Sequence, residues 1–322
     1  MMTSINLVSP VSFLPSKVLS LSELSLIERF QKNAEALKNE IGYQNIFVAG
    51  DTEDHVDLAI AAGKKCLASC GAKPEQITAV LMCSHFKSAS WERITQLRVH
   101  AEFGLSPECS VTDISTGNCT GLLRTLALAF AMINTSAQPQ RILLLGSDRL
   151  DQRFVRRRFG DRVFGDGASA LLLTSGDDSL FEPKLRMTHA PTTWVDPSFL
   201  DISRLNDNVR VEAAMLSAFR TGAEKVVKAA LQSASLQPSD LCLIATTNYG
   251  ARFWHDMFDK LALPMALMYC ETLPKVGHVA TSDVLYNVLA ADRAGLLVKN
   301  KQVLMISLGI GIACEALTLE VC

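Results

Sequence analysis

Three features of the chain predict an α/β protein assembled from two similar halves. Hydrophobic residues fill 48% of its 322 positions and charged residues only 20%, enough apolar material for a large core in one large duplicated unit or in two domains. Two segments repeat without gaps: Lys64–Ser84 (KKCLASCGAKPEQITAVLMCS) lies over Lys228–Asn248 (KAALQSASLQPSDLCLIATTN), with Leu67 over Leu231, Pro74 over Pro238 and Ile77 over Leu241. The third feature is a set of short, bounded, unbroken apolar runs, the pattern of strands in a sheet covered on both faces.

The elements follow in order from these patterns. Each repeat reads as an amphipathic helix, a proline turn and a buried strand. Next, Ser110–Thr116 reads as a strand running into a helix that starts near Cys119, and Leu267–Glu271 as a strand leading to a helix that starts near Thr281. Arg141–Gly146 (RILLLG) and Gly167–Thr174 (GASALLLT) close the first half as strands, and Gln302–Leu308 (QVLMISL) and Cys314–Val321 (CEALTLEV) close the second. The predicted division is 1–176 for the half with Cys119 and 177–322 for the half with His278 and Asp283. Packed about a pseudo-twofold, the halves bring the Cys119 helix start and the His278 segment to one central region.

Charge and composition exclude several classes. A formal charge of −2 gives no general attraction to nucleic acid or to an anionic membrane. No apolar run reaches spanning length, and residues 1–20 lack a basic n-region and are interrupted by Pro10 and Pro15. A cytoplasmic enzyme is therefore expected, with neither span nor secretory signal. The nine cysteines stand mostly in apolar surroundings, which suits reduced thiols better than a disulfide framework. Cys66 and Cys70, one helical turn apart, read as core residues, and no metal site is expected.

Cys119 differs from the other eight thiols. It sits in Asn118–Leu123 (NCTGLL), after a strand and at the first turn of an apolar helix containing Leu122, Leu126 and Phe130. The free amides and positive dipole end of a helix start stabilise a thiolate and so raise its nucleophilic fraction. Taken alone, the stretch equally admits a small buried residue beneath Gly121.

Downstream, Phe164–Ala170 (FGDGASA), Gly277–Asp283 (GHVATSD) and Leu308–Ile312 (LGIGI) follow in an order and spacing that resembles β-ketoacyl-ACP synthase III and its relatives along nearly the whole chain. Ser12–Leu24 (SFLPSKVLSLSEL) looks like that family's first strand and following turn, NCTG matches its Cys-Ala-Gly nucleophile motif, and FGDGASA is close to its FGDGAGA. The resemblance implies a thiolase-like duplicated fold in a layered αβαβα arrangement. It also implies Cys119 as acyl-carrying nucleophile, an oxyanion hole from the backbone N–H groups of Cys119 and Ile310, and a homodimer. His85 and Trp91 fall where the family reaches into the partner's acyl pocket, although a surface loop is the safer reading of both. Asp166 reads as a turn residue.

Two departures matter. Condensing members carry a His-Gln-Ala-Asn segment after the strand equivalent to Leu241–Ala245 and an asparagine in a later Gly-Asn-Thr-Ser motif. Here the first reads Ala245, Thr246, Thr247, Asn248, and His278 stands in place of the later asparagine, followed by Asp283. This resembles the family's Cys-His-Asp branch, which moves acyl groups to oxygen or nitrogen nucleophiles. An imidazole oriented by a carboxylate is a base for such nucleophiles, while Asp283, at a helix start, is equally placed to cap it.

The resemblance implies no cofactor beyond the thioester substrate, a donor that is acyl carrier protein or acyl-CoA, and a small-molecule or carrier-bound acceptor. The family's adenine-holding tryptophan and Arg-Thr-Gly-Ile segment is replaced by Lys38–Val48 (KNEIGYQNIFV), which favours a carrier's phosphopantetheine arm. Arg156 and Arg157, in a basic run from Arg153 to Arg162 that also reads as a solvated loop, are candidate donor contacts, as is Arg252. The rival readings are a decarboxylative β-ketoacyl synthase III-type condensing enzyme and a non-catalytic partner subunit of a heteromeric ketosynthase.

Overall fold

In the computed structural model, which describes residues 3–25, 42–86, 95–115, 118–150, 158–159, 162–199, 208–309 and 312–322, the same sheet is built twice. The strands are β1 (Ile5–Phe13), β2 (Lys17–Ser20), β3 (Asn45–Val48), β4 (Ala79–Cys83), β5 (Ser110–Ile114), β6 (Arg141–Asp148), β7 (Arg158–Phe159), β8 (Arg162–Val163), β9 (Gly167–Ser175), β10 (Leu185–Met187), β11 (Thr192–Val195), β12 (Leu241–Thr246), β13 (Met268–Tyr269), β14 (Gln302–Gly309) and β15 (Ala313–Val321). One set runs β1-β9-β6-β4-β5 and the other β11-β15-β14-β12-β13. Antiparallel and parallel pairs fall in the same sequence in both. The three-residue β10 pairs with β1 on one side and β15 on the other, joining both sets in one eleven-stranded sheet.

The repeat predicted from sequence keeps its register. Helix His55–Cys70, a 3-10 turn at Pro74–Gln76 and β4 correspond to helix Asn208–Ser233, a 3-10 turn at Pro238–Asp240 and β12. Proline sits at the start of each turn, where its missing N–H costs nothing. Helix His55–Cys70 is fixed at both ends: Asp54 accepts from the N–H groups of Val56 and Asp57, and Gly71 takes the left-handed conformation that stops it (φ 68).

Alternation along the strands makes the layers. Leu81, Ile142 and Leu144 share one core with Leu122, Leu126 and Phe130 of helix Gly121–Thr135 and with Val284, Leu285 and Val288 of helix Asp283–Arg293. That core also takes Leu243, Val303 and Met305 from the second strand set, so the two helices form the middle layer. Val80, Met82, Leu143 and Leu145 face an outer layer with helices His55–Cys70 and Thr95–Phe103. On the far side Ile244, Leu304 and Ile306 face Phe219, Trp254 and Phe258 of helices Asn208–Ser233 and Ala251–Leu261. The result is the thiolase-like αβαβα stack.

Of the boundaries that differ from expectation, two have a clear local cause. The first strand begins earlier than Ser12, because the register shift between Val8 and Val11, with Ser9 at φ 46, accommodates Pro10 as a bulge. The strand expected at Leu267–Glu271 shrinks to β13, an edge strand that follows a 3-10 turn at Met265–Leu267. Among the described residues no helix is long and apolar enough to cross a membrane.

Candidate active site

Cys119 reaches the centre from the first strand set. It lies in a 3-10 turn, Asn118–Thr120, that passes directly into helix Gly121–Thr135, so the sulfur stands at a helix start. Asn118 adopts a left-handed backbone, φ 51. From β14, Ser307 Oγ donates to the Cys119 carbonyl at 2.9 Å, tying the Cys119 segment to the other strand set.

His278 arrives from the opposite side. The short helix Leu273–Val276 ends at Gly277, whose φ of 70 favours glycine and where a Cβ would lie 2.7 Å from both Val163 O and the Ile46 side chain. His278 N–H donates to Val163 O (2.8 Å) and its carbonyl accepts from Gly165 N–H (3.1 Å), a bridge opposite Phe164. The FGDGASA stretch thus frames the histidine.

The two meet inside the protein. His278 Nε2 stands 3.4 Å from Cys119 Sγ, and His278 Nδ1 is hydrogen-bonded to Asp283 Oδ2. Cys119, His278 and Asp283 are all at most 1% exposed. Although Asp283 opens helix Asp283–Arg293, its carboxylate reaches back from it: Oδ2 also accepts from Asn248 N–H (2.8 Å) and Oδ1 from Val279 N–H (2.7 Å). Burial acts to lower the basicity of His278, but the negative charges of Asp283 and Cys119 and the hydrogen bonds to both outweigh it and raise its pKa to about 10. The arrangement can hold a proton on the imidazole beside the sulfur, give it to a leaving group and take one from an entering group.

Around this chain the site is polar at its base and aromatic at its walls. Asn248 Nδ2 donates to Gly277 O (2.8 Å), and Asn287 Nδ2 donates to Asn248 Oδ1 (2.9 Å). The rings of Phe164 and Tyr249 lie 4.8 and 5.6 Å from that of His278. Arg162, the last of the basic run, is buried with its guanidinium 4.1 Å from the Tyr249 ring centroid, so this arginine is no solvated loop residue. Arg156, Arg157 and Ile310 lie outside the described residues, as does the Arg252 side chain, whose backbone is in helix Ala251–Leu261.

Sequence reasoning missed His85 and Asp148. His85, read as a surface loop residue, is half-buried and hydrogen-bonded to Asn118; burial and the nearby charge of His278 lower its pKa to about 4. The repeat alignment, extended one residue, sets His85 over Tyr249, which was the available signal. Asp148 is a carboxylate at the end of an apolar strand, 1% exposed. Asp166 is more than a turn residue: fully buried, it accepts from Ala49 N–H (2.8 Å) and Leu150 N–H (2.9 Å).

Comparison with known proteins agrees with this architecture. Residues 112–186 match the family 3-oxoacyl-[acyl-carrier-protein] synthase III, and residues 231–321 match its C-terminal region. The chain is 22% identical over 317 residues to the β-ketoacyl-[acyl-carrier-protein] synthase III of Listeria innocua serovar 6a, covering 96% of both chains. Among solved structures, the acyltransferase ChlB3 superposes with a TM-score of 0.84 at 22% identity, covering 99% of this chain and 98% of that one. The 3-oxoacyl-(acyl carrier protein) synthase III FabH of Pseudomonas aeruginosa PAO1 superposes at 0.82 and 23% identity, covering 98% of both.

Proposed function

Because the chain belongs to the 3-oxoacyl-[acyl-carrier-protein] synthase III family of acyl-transferring and condensing enzymes, we propose that it transfers an acyl group from a pantetheine thioester, through Cys119, to a hydroxyl or amine. The observation that carries this reading is the continuous buried chain from Cys119 Sγ through His278 to Asp283, with no histidine in Ala245–Asn248. Decarboxylation of a malonyl thioester needs donors for an enolate oxygen; the imidazole here, held by a carboxylate, suits removal of a proton from an acceptor.

In the first half-reaction the sulfur, its proton held on His278, attacks the thioester carbonyl. The oxyanion is held by the backbone N–H groups of Cys119 and Ile310. On collapse the carbon–sulfur bond to pantetheine breaks, and the leaving thiolate takes the proton from His278. In the second, the neutral imidazole takes the acceptor's proton as its oxygen or nitrogen attacks the acyl carbon, and the Cys119–acyl bond breaks, restoring the starting pair. Asp283 keeps Nδ1 protonated and balances the imidazolium. The donor is an acyl carrier protein or CoA thioester, contacted by Arg156, Arg157 and Arg252, and two copies associate at the edge strand β5, which ends the sheet path.

The test is intact-mass measurement after incubation with acyl-CoA and acyl-carrier thioesters, followed by acceptor addition. An acyl mass on the wild type, absent in Cys119→Ala and discharged by an alcohol or amine, is expected. Labelled carbon dioxide released from malonyl thioester, matched by a β-ketoacyl product and absent in Cys119→Ala, would overturn the reading in favour of condensation. A chain that takes no acyl group alone but supports a partner synthase would be a non-catalytic subunit.

A further inference from the structure

Asp148 ends β6 and is bound to both sides of the candidate site. Its Oδ1 accepts from the backbone N–H groups of His85 (2.6 Å) and Phe86 (2.9 Å), and its Oδ2 from Thr281 N–H (2.9 Å) and Thr281 Oγ1 (2.5 Å). Thr281 lies between His278 and Asp283, just after Ala280, whose backbone is left-handed (φ 45). The Thr281 methyl packs over Gly121, where an added Cβ would come within 3.0 Å of it. On the other side, the His85 imidazole is hydrogen-bonded to Asn118, the residue before Cys119.

We propose that Asp148 is a positioning residue that sets the approach of His278 to Cys119, through Thr281 on the imidazole side and through His85 and Asn118 on the sulfur side. The inference rests on His278 being the proton partner of Cys119. A buried carboxylate with four donors is fully satisfied and holds all four in fixed geometry. Burial pushes its pKa up to about 6, while the four donors it accepts from favour the ionised form. Without it, the turn that carries His278 and the loop beneath Asn118 lose their common anchor, although neither touches the reacting atoms through Asp148 itself.

The readout is the rate of Cys119 alkylation by iodoacetamide, followed by peptide mass across the neutral and alkaline range, because it needs no acyl donor and reports the Cys119–His278 proton pair. In Asp148→Asn an amide NH2 faces one pair of N–H donors, and alkylation at neutral pH should fall on the order of 10- to 100-fold, the scale for displacing a reacting group by a fraction of an ångström to an ångström, with its pH profile moved upward. Thr281→Val, which keeps the shape but loses the hydroxyl, should slow it about 5-fold, and Thr281→Ser should restore the wild-type rate and profile. Wild-type kinetics in a folded Asp148→Asn variant would overturn the proposal, as would equal behaviour of Thr281→Val and Thr281→Ser, a comparison that decides the matter even if Asp148→Asn fails to fold. His278→Ala separates the two levels. If it is slow while Asp148→Asn is not, only the positioning role fails; if it too alkylates like wild type, the proton-partner reading fails and the proposal with it.

Discussion

Replacing Asp283 by asparagine tests the imidazole–carboxylate pair with almost no change of shape. The carboxylate accepts from His278 Nδ1 and Asn248 N–H on Oδ2 and from Val279 N–H on Oδ1. An amide oxygen serves only one side. Turned toward His278 and Asn248, it leaves NH2 facing the Val279 N–H, a buried donor against a donor, at about 1–3 kcal/mol. The electrostatic effect is larger. Raising His278 from 6.5 to about 10 represents roughly 5 kcal/mol in favour of the imidazolium, and the charge of Asp283 is the largest contribution in that direction. Without it, burial dominates and the imidazole gives up its proton far more readily. In single turnover, transfer from acylated Cys119 to an acceptor should slow by roughly 10- to 100-fold, at or below the low end of the range for a positioned base. The folded-state pKa of His278 is raised, so the pair stabilises the fold fully below 6.5 and that stability is lost as pH rises through about 10. Denaturant titration in the alkaline range should show this loss in the wild type and a flatter curve in Asp283→Asn. Unchanged turnover together with an unchanged alkaline curve would refute the reasoning.

Other perturbations read different parts of the site. His278→Ala should slow acceptor acylation by ~100-fold or more in the same single-turnover assay, and full activity would remove His278 as the base. Gly277→Ala places a Cβ 2.7 Å from Val163 O at a φ of 70, so the chemical-denaturation midpoint should fall by the equivalent of about 1–3 kcal/mol; a wild-type midpoint would show that the turn can relax. Sedimentation at micromolar concentration should give a dimer, and a fully active monomer would contradict the pairing at β5.

The duplication was legible because Pro74 and Pro238 punctuate two copies of one helix–strand unit, and local turn chemistry survives where side-chain identity does not. His278 and Asp283 are five residues apart, within reach of one motif, whereas Cys119 lies 159 positions from His278. Only the family resemblance and the expected pseudo-twofold could bring those two together beforehand. Asp148 was hidden because the apolar run was read as ending at Gly146, two residues short of the carboxylate. His85 and Arg162 misled for a different reason: a polar residue after a strand and a charge in a basic run both suggest solvent, and only the return of the chain over them, Asn118 above one and Tyr249 against the other, takes them inside.

The stretch after β12 bears on how readily this chain could change its chemistry. Ala245 is fully buried within the middle core, the Thr246 carbonyl accepts from Asn287 Nδ2 (2.8 Å), and Thr247 Oγ1 accepts from Leu308 N–H (2.9 Å) while its carbonyl accepts from Trp254 Nε1 (3.0 Å). Asn248 anchors both the Asp283 carboxylate and the Gly277 carbonyl. Where the family resemblance expects a second reacting group, the proposed acyl-transfer reading finds a support for the first. On the proposed reading, a lineage or a directed-evolution campaign that placed a histidine in this stretch for carbon–carbon bond formation must rebuild several buried hydrogen bonds together. Its intermediates would pass through a fitness valley in which the proposed base, His278, has lost its anchors and the new pair is not yet complete.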